Sequence, residues 1–172
     1  CCGDQAGRRT ATIQQQGRPK PPNGSEKAMS SRVSSVRWNG SLTEGSGTIE
    51  LSSSQQGHFN YALESRAAVK ATATSPEELL AAAYASCYGM QLSALLTTES
   101  SESNPILLVE AEVFQGGPEV DFGITGITLS VTGRGLTISD ERFVEVAETA
   151  SSVCPIGRAL GRVEVTVHAR VA

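Results

Sequence analysis

The stretch of sequence that decides the fold is SPEELLAAAYASCYGMQLSALLT, which runs from Ser75 to Thr97. Ser75 can cap a helix, Pro76 suits the first helical position, and Glu78 stands three residues after the cap, so a helix is predicted to begin here. The body of this helix is apolar on nearly every face, and such a helix is expected to be enclosed on all sides. In a small domain, this requires a sheet on one side and another helix or subunit on the other.

The segments around this helix carry strand and helix signals of their own. Alternating polarity and β-branched residues predict six strands, at residues 33–38, 47–51, 58–63, 106–114, 120–132 and 163–171. The first three are expected to form an antiparallel meander. A second helix is predicted from Ser139 or Asp140 to Pro155, which breaks it, and a short turn follows at residues 156–160. The order βββ-α-ββ-α-β predicts an α+β domain.

Composition excludes several classes of function. The chain has 172 residues, enough for one domain, and a net charge of −4, which argues against a nucleic-acid footprint. It has no run of about 18 apolar residues, so no membrane span is predicted. The two histidines are far apart in sequence and no CxxC motif is present, so neither a zinc site nor any other metal or cofactor is expected.

Residues 1–28 differ in composition from the rest of the chain. They are rich in Gln, Gly, Arg, Lys and Pro, and they predict a disordered tail or a non-native extension, with the domain at residues 29–172. The chain begins with Cys1 rather than Met, which fits either a mature lipoprotein with a lipidated Cys1 or a natural start at Met29. The second interpretation is the simpler one, and Cys1 and Cys2 are given no role.

Two other cysteines lie in structured sequence and are candidates for thiol chemistry. Cys154 precedes Pro155 at a helix restart, where unpaired backbone N–H groups favour the thiolate, so its pKa is expected to be lowered. Cys87 lies about three turns into the long helix, where apolar burial raises the pKa of a thiol and only a cation from elsewhere could offset it. Taken singly, either could instead be a small core residue.

Arg66 is the candidate cation, and Glu77 is the carboxylate that could hold it in a bidentate pair. The alternatives are a surface arginine and a carboxylate that stabilises the helix start. Glu77 and Cys87 are ten residues apart on one helix, or about 15 Å along its axis. If both belong to one site, Glu77 must come from a second, antiparallel copy of the helix, which predicts a two-fold homodimer.

These residues resemble the motifs of the OsmC/Ohr family of peroxide-detoxifying proteins. Residues 75–90 are similar to the family's central helix, which begins with a Pro-Glu motif and carries a cysteine ten residues after the first Glu. Residues 153–160, VCPIGRAL, resemble the second motif, although Gly157 stands where Ser is usual, and residues 36–48 resemble the opening hairpin. The sequence PEEL and an arginine just before the helix are more similar to the OsmC branch than to the Ohr branch. Arg37 is the alternative candidate for the role of Arg66.

The resemblance implies an intertwined homodimer with the central apolar helices at its interface and two active sites there. It implies that organic hydroperoxides are reduced to alcohols in oxidative or osmotic stress defence. Cys87 is then the peroxidatic thiolate, Cys154 the resolving thiol that closes an intrachain disulfide, Arg66 the activating cation and Glu77 its anchor. A cellular dithiol, such as a lipoyl protein or a small thiol, is expected to reduce that disulfide, and such a transient bond is compatible with a cytoplasmic location.

Two other functions remain open on the same fold. A non-enzymatic binder would use the apolar pocket for a hydrophobic small molecule and would consume no peroxide. A thiol redox sensor would turn over slowly and change its structure on oxidation. The presence of two cysteines with a nearby arginine favours the enzyme.

Overall fold

The computed structural model describes residues 30–68, 70–99 and 105–172. Residues 33–172 form one compact unit, and the predicted tail at residues 1–28, with Cys1 and Cys2, lies outside the described residues. The strands of this unit are β1 (Ser35–Asn39), β2 (Ser46–Glu50), β3 (His58–Tyr61), β4 (Ile106–Gln115), β5 (Ile124–Arg134) and β6 (Glu164–Val171). Its α-helices are α1 (Leu63–Ala67), α2 (Pro76–Glu99), α3 (Asp140–Val153) and α4 (Pro155–Ala159).

The strands form two separate three-stranded sheets. The first has the order β1-β2-β3 and is antiparallel throughout, which confirms the predicted meander. The second has the order β4-β5-β6, with β4 antiparallel and β6 parallel to β5. The parallel pairing requires a crossover, and α3 with α4 supplies it. The α+β class and the predicted order of the strands and the two long helices are confirmed, and the short helix α1 is an addition to that order.

The core lies between the second sheet and the two long helices. α2 packs on β4, α3 packs on β6, and the two helices pack on each other. Buried apolar side chains fill this layer, at Tyr84, Tyr88, Leu92 and Leu96 from α2, Ile127, Leu129 and Val131 from β5, and Phe143, Val146, Ala147 and Ala150 from α3. The first sheet has no comparable packing partner among the described elements of its own chain.

α2 is buried along one face only, so its predicted enclosure on all sides is not met within one chain. Met90 on the opposite side is 69% exposed. By length and composition alone α2 could cross a membrane, since an 18-residue window has a mean hydropathy of 1.4. Its buried face packs in the core of a domain, as expected for the central helix of a fold of this kind, so its apolar character implies no membrane span.

Two predicted boundaries are wrong for local reasons. The strand predicted from residue 120 begins at Ile124, because Pro118–Val120 form a 3₁₀ turn and Asp121 and Phe122 take left-handed φ values of 51° and 55°. The strand predicted over residues 58–63 ends at Tyr61, because the short helix α1 begins at Leu63. Arg66 therefore lies in a helix rather than at a strand end.

Candidate active site

The fold brings the two cysteines together across 67 residues of sequence. The Sγ atom of Cys154 lies 3.3 Å from that of Cys87, and both thiols are free. Cys87 faces the core from α2, while Cys154 stands at the junction where α3 ends and α4 begins. Because a disulfide bond is about 2.05 Å long, only a small movement separates this pair from a covalent link.

The two thiols differ in access to solvent. Cys87 is partly exposed, whereas Cys154 is 0% exposed. A small oxidant from solvent therefore has closer access to Cys87 than to Cys154, which is wholly buried. The contact also places Cys154 directly behind Cys87, where it can react with an oxidised form of that residue.

The predicted low pKa of Cys154 is wrong. Burial raises the pKa of the Cys154 thiol, and the neighbouring Cys87 adds to the rise. The backbone N–H groups of Gly157 and Ile156 act in the opposite direction, as the helix-restart argument requires, but they do not offset burial. Cys154 is therefore a protonated thiol at neutral pH.

Arg66 and Glu77 form a second pair, within one chain. Nε of Arg66 donates to both carboxylate oxygens of Glu77, at 3.1 and 3.2 Å, and the second nitrogen of the fork, Nη2, also donates to Oε1. Burial alone would raise the pKa of Glu77, but the hydrogen bonds and the charge of Arg66 lower it overall. The carboxylate thus stays ionised at neutral pH, and the pair is lost only as pH falls through this lowered pKa.

The short helix α1 positions Arg66. The buried hydroxyl of Ser65 accepts a hydrogen bond from the backbone N–H of Ala62 at 3.2 Å. As a donor it lies within hydrogen-bond distance of two carbonyl oxygens, that of Ala62 at 2.7 Å and that of Thr74 at 2.9 Å. The contact with Thr74 ties α1 to the segment that leads into α2. Because Glu77 lies in the first turn of α2, the helix that bears Arg66 and the helix that bears Glu77 are held in place relative to each other.

An apolar cavity of about 330 Å³ lies beside Arg66. Its walls include Trp38, Leu42, Tyr61 and Leu63, and the rings of Trp38 and Tyr61 are 5.3 Å apart. Sequence reasoning missed these aromatic residues as site residues, although the alternation of β1 and β3 places both on one face of their sheet. Arg37 lies next to Trp38 on β1 and therefore points to the opposite face.

The cysteine pair and the Arg66–Glu77 pair are not brought together within one chain. Glu77 and Cys87 stand ten residues apart on α2, or about 15 Å along the helix axis. Among the residues that the structure describes, no cluster of His, Cys, Asp or Glu could hold a metal ion.

Comparison with known proteins identifies the family that carries this arrangement. The model of the OsmC-like protein family matches residues 69–168, which is more than half of the chain. The chain belongs to the OsmC family. The match spans the central helix and the VCPIGRAL motif, with Cys87, Cys154 and Glu77, whereas the opening hairpin and Arg66 lie before it.

Relatives of this OsmC-family chain bear two kinds of name. It is 28% identical over 132 residues to Peroxiredoxin OsmC of Escherichia coli (strain K12), covering 77% of this chain and 90% of the relative. It is 29% identical over 97 residues to the organic hydroperoxide resistance protein OhrA of Bacillus subtilis (strain 168), covering 56% and 67%. The crystal structure of OhrB of Bacillus subtilis matches with a TM-score of 0.59 and 26% identity, over 80% of this chain and 98% of that chain. The names indicate a peroxidase-type role for the family, and the structural match confirms the predicted OsmC-like fold.

Proposed function

We propose that this OsmC-family chain is a thiol peroxidase that reduces organic hydroperoxides to alcohols. The observation that carries the proposal is the contact of two free sulfurs at 3.3 Å, one on a partly exposed residue and one on a wholly buried residue. A protein that only binds apolar molecules has no need of this contact. The relatives of this OsmC-family chain bear peroxiredoxin and hydroperoxide-resistance names, which support the same chemistry.

The reaction runs in two steps. The thiolate of Cys87 attacks the distal peroxide oxygen, so that an S–O bond forms, the O–O bond breaks, and the leaving alkoxide takes a proton to become an alcohol. The sulfur of the Cys154 thiol then attacks the sulfur of the Cys87 sulfenic acid as the thiol gives up its proton. A disulfide forms, the S–O bond breaks, and the departing hydroxide takes a proton to become water. An external dithiol, such as a lipoyl protein or a small thiol, supplies two electrons to reopen the disulfide.

Arg66 serves the cysteine of a second copy of the chain. Its guanidinium, held by Glu77, would stabilise the Cys87 thiolate of the partner and the negative charge that develops on the peroxide oxygens. The separation of Glu77 from Cys87 along α2, about 15 Å, supports a role across two chains rather than within one. Two antiparallel copies of α2 would form two equivalent sites, each built from both chains.

The exposed face of α2 supports such a dimer. It forms an open groove with β4, lined by small residues and by Met90 and Leu108, which are 69% and 63% exposed. A side chain at Gly89 would contact only Val109, at an ordinary distance of 3.6 Å, so packing within one chain does not require a glycine there. A glycine at this position would instead allow a second helix to approach α2 closely. The first sheet, which lacks a comparable partner in its own chain, would be covered in the same assembly.

The aromatic cavity beside Arg66 would hold the organic part of the substrate. Its apolar walls favour an alkyl or aryl group over water, so they favour organic hydroperoxides over hydrogen peroxide. The expected setting is the cytoplasm, where reduced dithiols are available, in defence against oxidative or osmotic stress.

Steady-state turnover with dihydrolipoamide as the dithiol tests this function. We expect a higher kcat/KM for cumene hydroperoxide than for hydrogen peroxide, because only the former fills the cavity. Trp38→Ala should lower kcat/KM for cumene hydroperoxide by about tenfold, the effect of losing roughly 1.4 kcal/mol of apolar contact. It should leave the value for hydrogen peroxide within about twofold.

Trp38→Phe is the matched control and should retain most of the selectivity, because it keeps an aromatic wall. Equal losses for both peroxides in Trp38→Ala would remove the cavity from the substrate site. Absence of turnover with either peroxide in the wild-type protein would refute the peroxidase function. The two alternatives, a non-enzymatic binder of a hydrophobic small molecule and a thiol redox sensor, would then remain.

A further inference from the structure

Tyr84 carries a buried hydroxyl beside the cysteine pair, and the proposed reaction does not use this hydroxyl. Tyr84 is 0% exposed and lies on α2 one turn before Cys87, on the same face. Its hydroxyl oxygen lies 3.3 Å from that of Ser151, which is in the last turn of α3, three residues before Cys154. This contact joins α2, which carries Cys87, to the end of α3 next to Cys154.

Gly157 provides the space that Tyr84 occupies. A Cβ atom at position 157 would lie 2.6 Å from the Tyr84 hydroxyl oxygen and 3.1 Å from the ring carbon that bears it. The backbone of Gly157 is not in the left-handed region, so the requirement is for room rather than for conformation. The phenol is therefore held between the last turn of α3 and the first turn of α4, the two sides of the junction at Cys154.

Tyr88, one turn further along α2, shows what an ordinary buried tyrosine does here. It is also 0% exposed, and its hydroxyl donates to the carbonyl of Ala147 in the middle of α3, at 3.0 Å. That contact joins α2 to α3 away from the Cys154 junction. Tyr84 and Tyr88 are thus both buried tyrosines of α2, but the hydroxyl of Tyr84 contacts the end of α3 and that of Tyr88 contacts its middle.

The hydroxyl of Tyr84 stays protonated. Burial raises its pKa, the contact with Ser151 partly offsets the rise, and the nearby Cys154 and Cys87 raise it further. A neutral phenol can donate or accept a hydrogen bond, but it does not act as a base at physiological pH. Its contribution must therefore come from position.

We propose that Tyr84, through Ser151 and the space at Gly157, is a positioning residue that holds Cys154 against Cys87 for disulfide closure. The inference rests on the proposed peroxidase function. It assigns Tyr84 to the second step, attack of the Cys154 sulfur on the Cys87 sulfenic acid, and not to the attack on the peroxide. Fast closure protects Cys87, because a sulfenic acid that persists meets a second peroxide and becomes sulfinic acid.

The test compares three conservative variants. Tyr84→Phe and Ser151→Ala each remove one member of the hydroxyl pair, and Tyr88→Phe is the matched control. Each protein, fully reduced, receives one equivalent of cumene hydroperoxide and is quenched at intervals with a thiol-blocking reagent. Peroxide loss reports the first step, and the Cys87–Cys154 disulfide measured by mass spectrometry reports the second.

We expect the first step to stay within about twofold of wild type in all three variants. Closure should slow by about tenfold in Tyr84→Phe and Ser151→Ala, the upper range for loss of one neutral hydrogen bond, and stay unchanged in Tyr88→Phe. Excess peroxide should then convert more Cys87 to sulfinic acid in the first two variants only. A role in general stability would slow both steps, or would affect Tyr88→Phe equally.

Wild-type closure rates in Tyr84→Phe would overturn the inference, and so would an equal loss in both steps. Diamide, which oxidises neighbouring thiols to a disulfide and is itself reduced, separates this outcome from failure of the proposed function. Should the wild-type protein consume no peroxide, the same tenfold difference in diamide-driven closure would still support Tyr84 as a positioning residue. Equal diamide rates would overturn it.

Discussion

Substitution of Cys87 by serine is expected to abolish hydroperoxide consumption. The loss should exceed about a thousandfold, because the nucleophile that splits the O–O bond is removed and the buried Cys154 cannot be reached from solvent. Stopped-flow measurement of cumene hydroperoxide loss under single-turnover conditions checks this. The exchange of sulfur for oxygen is small, so the thermal unfolding midpoint should change little.

Cys154→Ser is the matched control, since it alters the other sulfur of the same contact. It should consume one equivalent of peroxide at a rate near that of wild type and then stop, with Cys87 left as sulfenic acid. The opposite result, with Cys154→Ser inactive and Cys87→Ser active in the first turnover, would exchange the two roles. Substantial activity in both variants would exclude a cysteine-based mechanism.

Arg66→Ala is expected to lower kcat/KM for cumene hydroperoxide by about a hundredfold or more, similar to the loss of an oxyanion-stabilising donor. Arg66→Lys should recover only part of this, because an ammonium group cannot make the fork-shaped contact with Glu77. Arg37→Ala is the control from the opposite face of β1 and should be close to wild type. A large loss in Arg37→Ala with none in Arg66→Ala would move the role to Arg37.

Mixed dimers test whether Arg66 acts on the partner's cysteine. Alone, Cys87→Ser is expected to be inactive and Arg66→Ala to retain about a hundredth of the activity or less. A dimer with one chain of each contains one complete site if the site is shared between chains. Co-expression with two different affinity tags yields this mixed dimer, which should regain about half of the wild-type activity. Sedimentation velocity should give a mass of two chains. An inactive mixed dimer of that mass would place Arg66 and Cys87 in the same chain or in no common site.

The parts of the fold that depend on local sequence could be predicted. The start of α2 follows from a cap at Ser75 and a proline at position 76, and the helix begins there. The start of β5 could not be predicted in this way, because Phe122 is not a residue that usually takes a left-handed φ. α1 was missed because five residues carry too short a pattern to show a helical period.

The site depends on packing that no local pattern encodes. The helix-restart argument for Cys154 correctly identified backbone N–H groups that favour the thiolate. It could not include burial, which arises because α2 and α3 pack over the junction and which decides the direction of the shift. The contact of two cysteines 67 residues apart was expected only from the family resemblance. The role of Gly157 could not be predicted from the sequence, because it depends on Tyr84 packing into the space at that position.

The most direct test of the proposed mechanism is the fate of the two sulfurs after one turnover. The reduced protein is treated with one equivalent of cumene hydroperoxide, blocked, digested without reductant and mapped by mass spectrometry. We predict an intrachain Cys87–Cys154 disulfide in near-stoichiometric yield, one equivalent of alcohol, and no such link in Cys87→Ser. Consumption of the peroxide without that disulfide, or an untouched pair of thiols 3.3 Å apart, would contradict the mechanism.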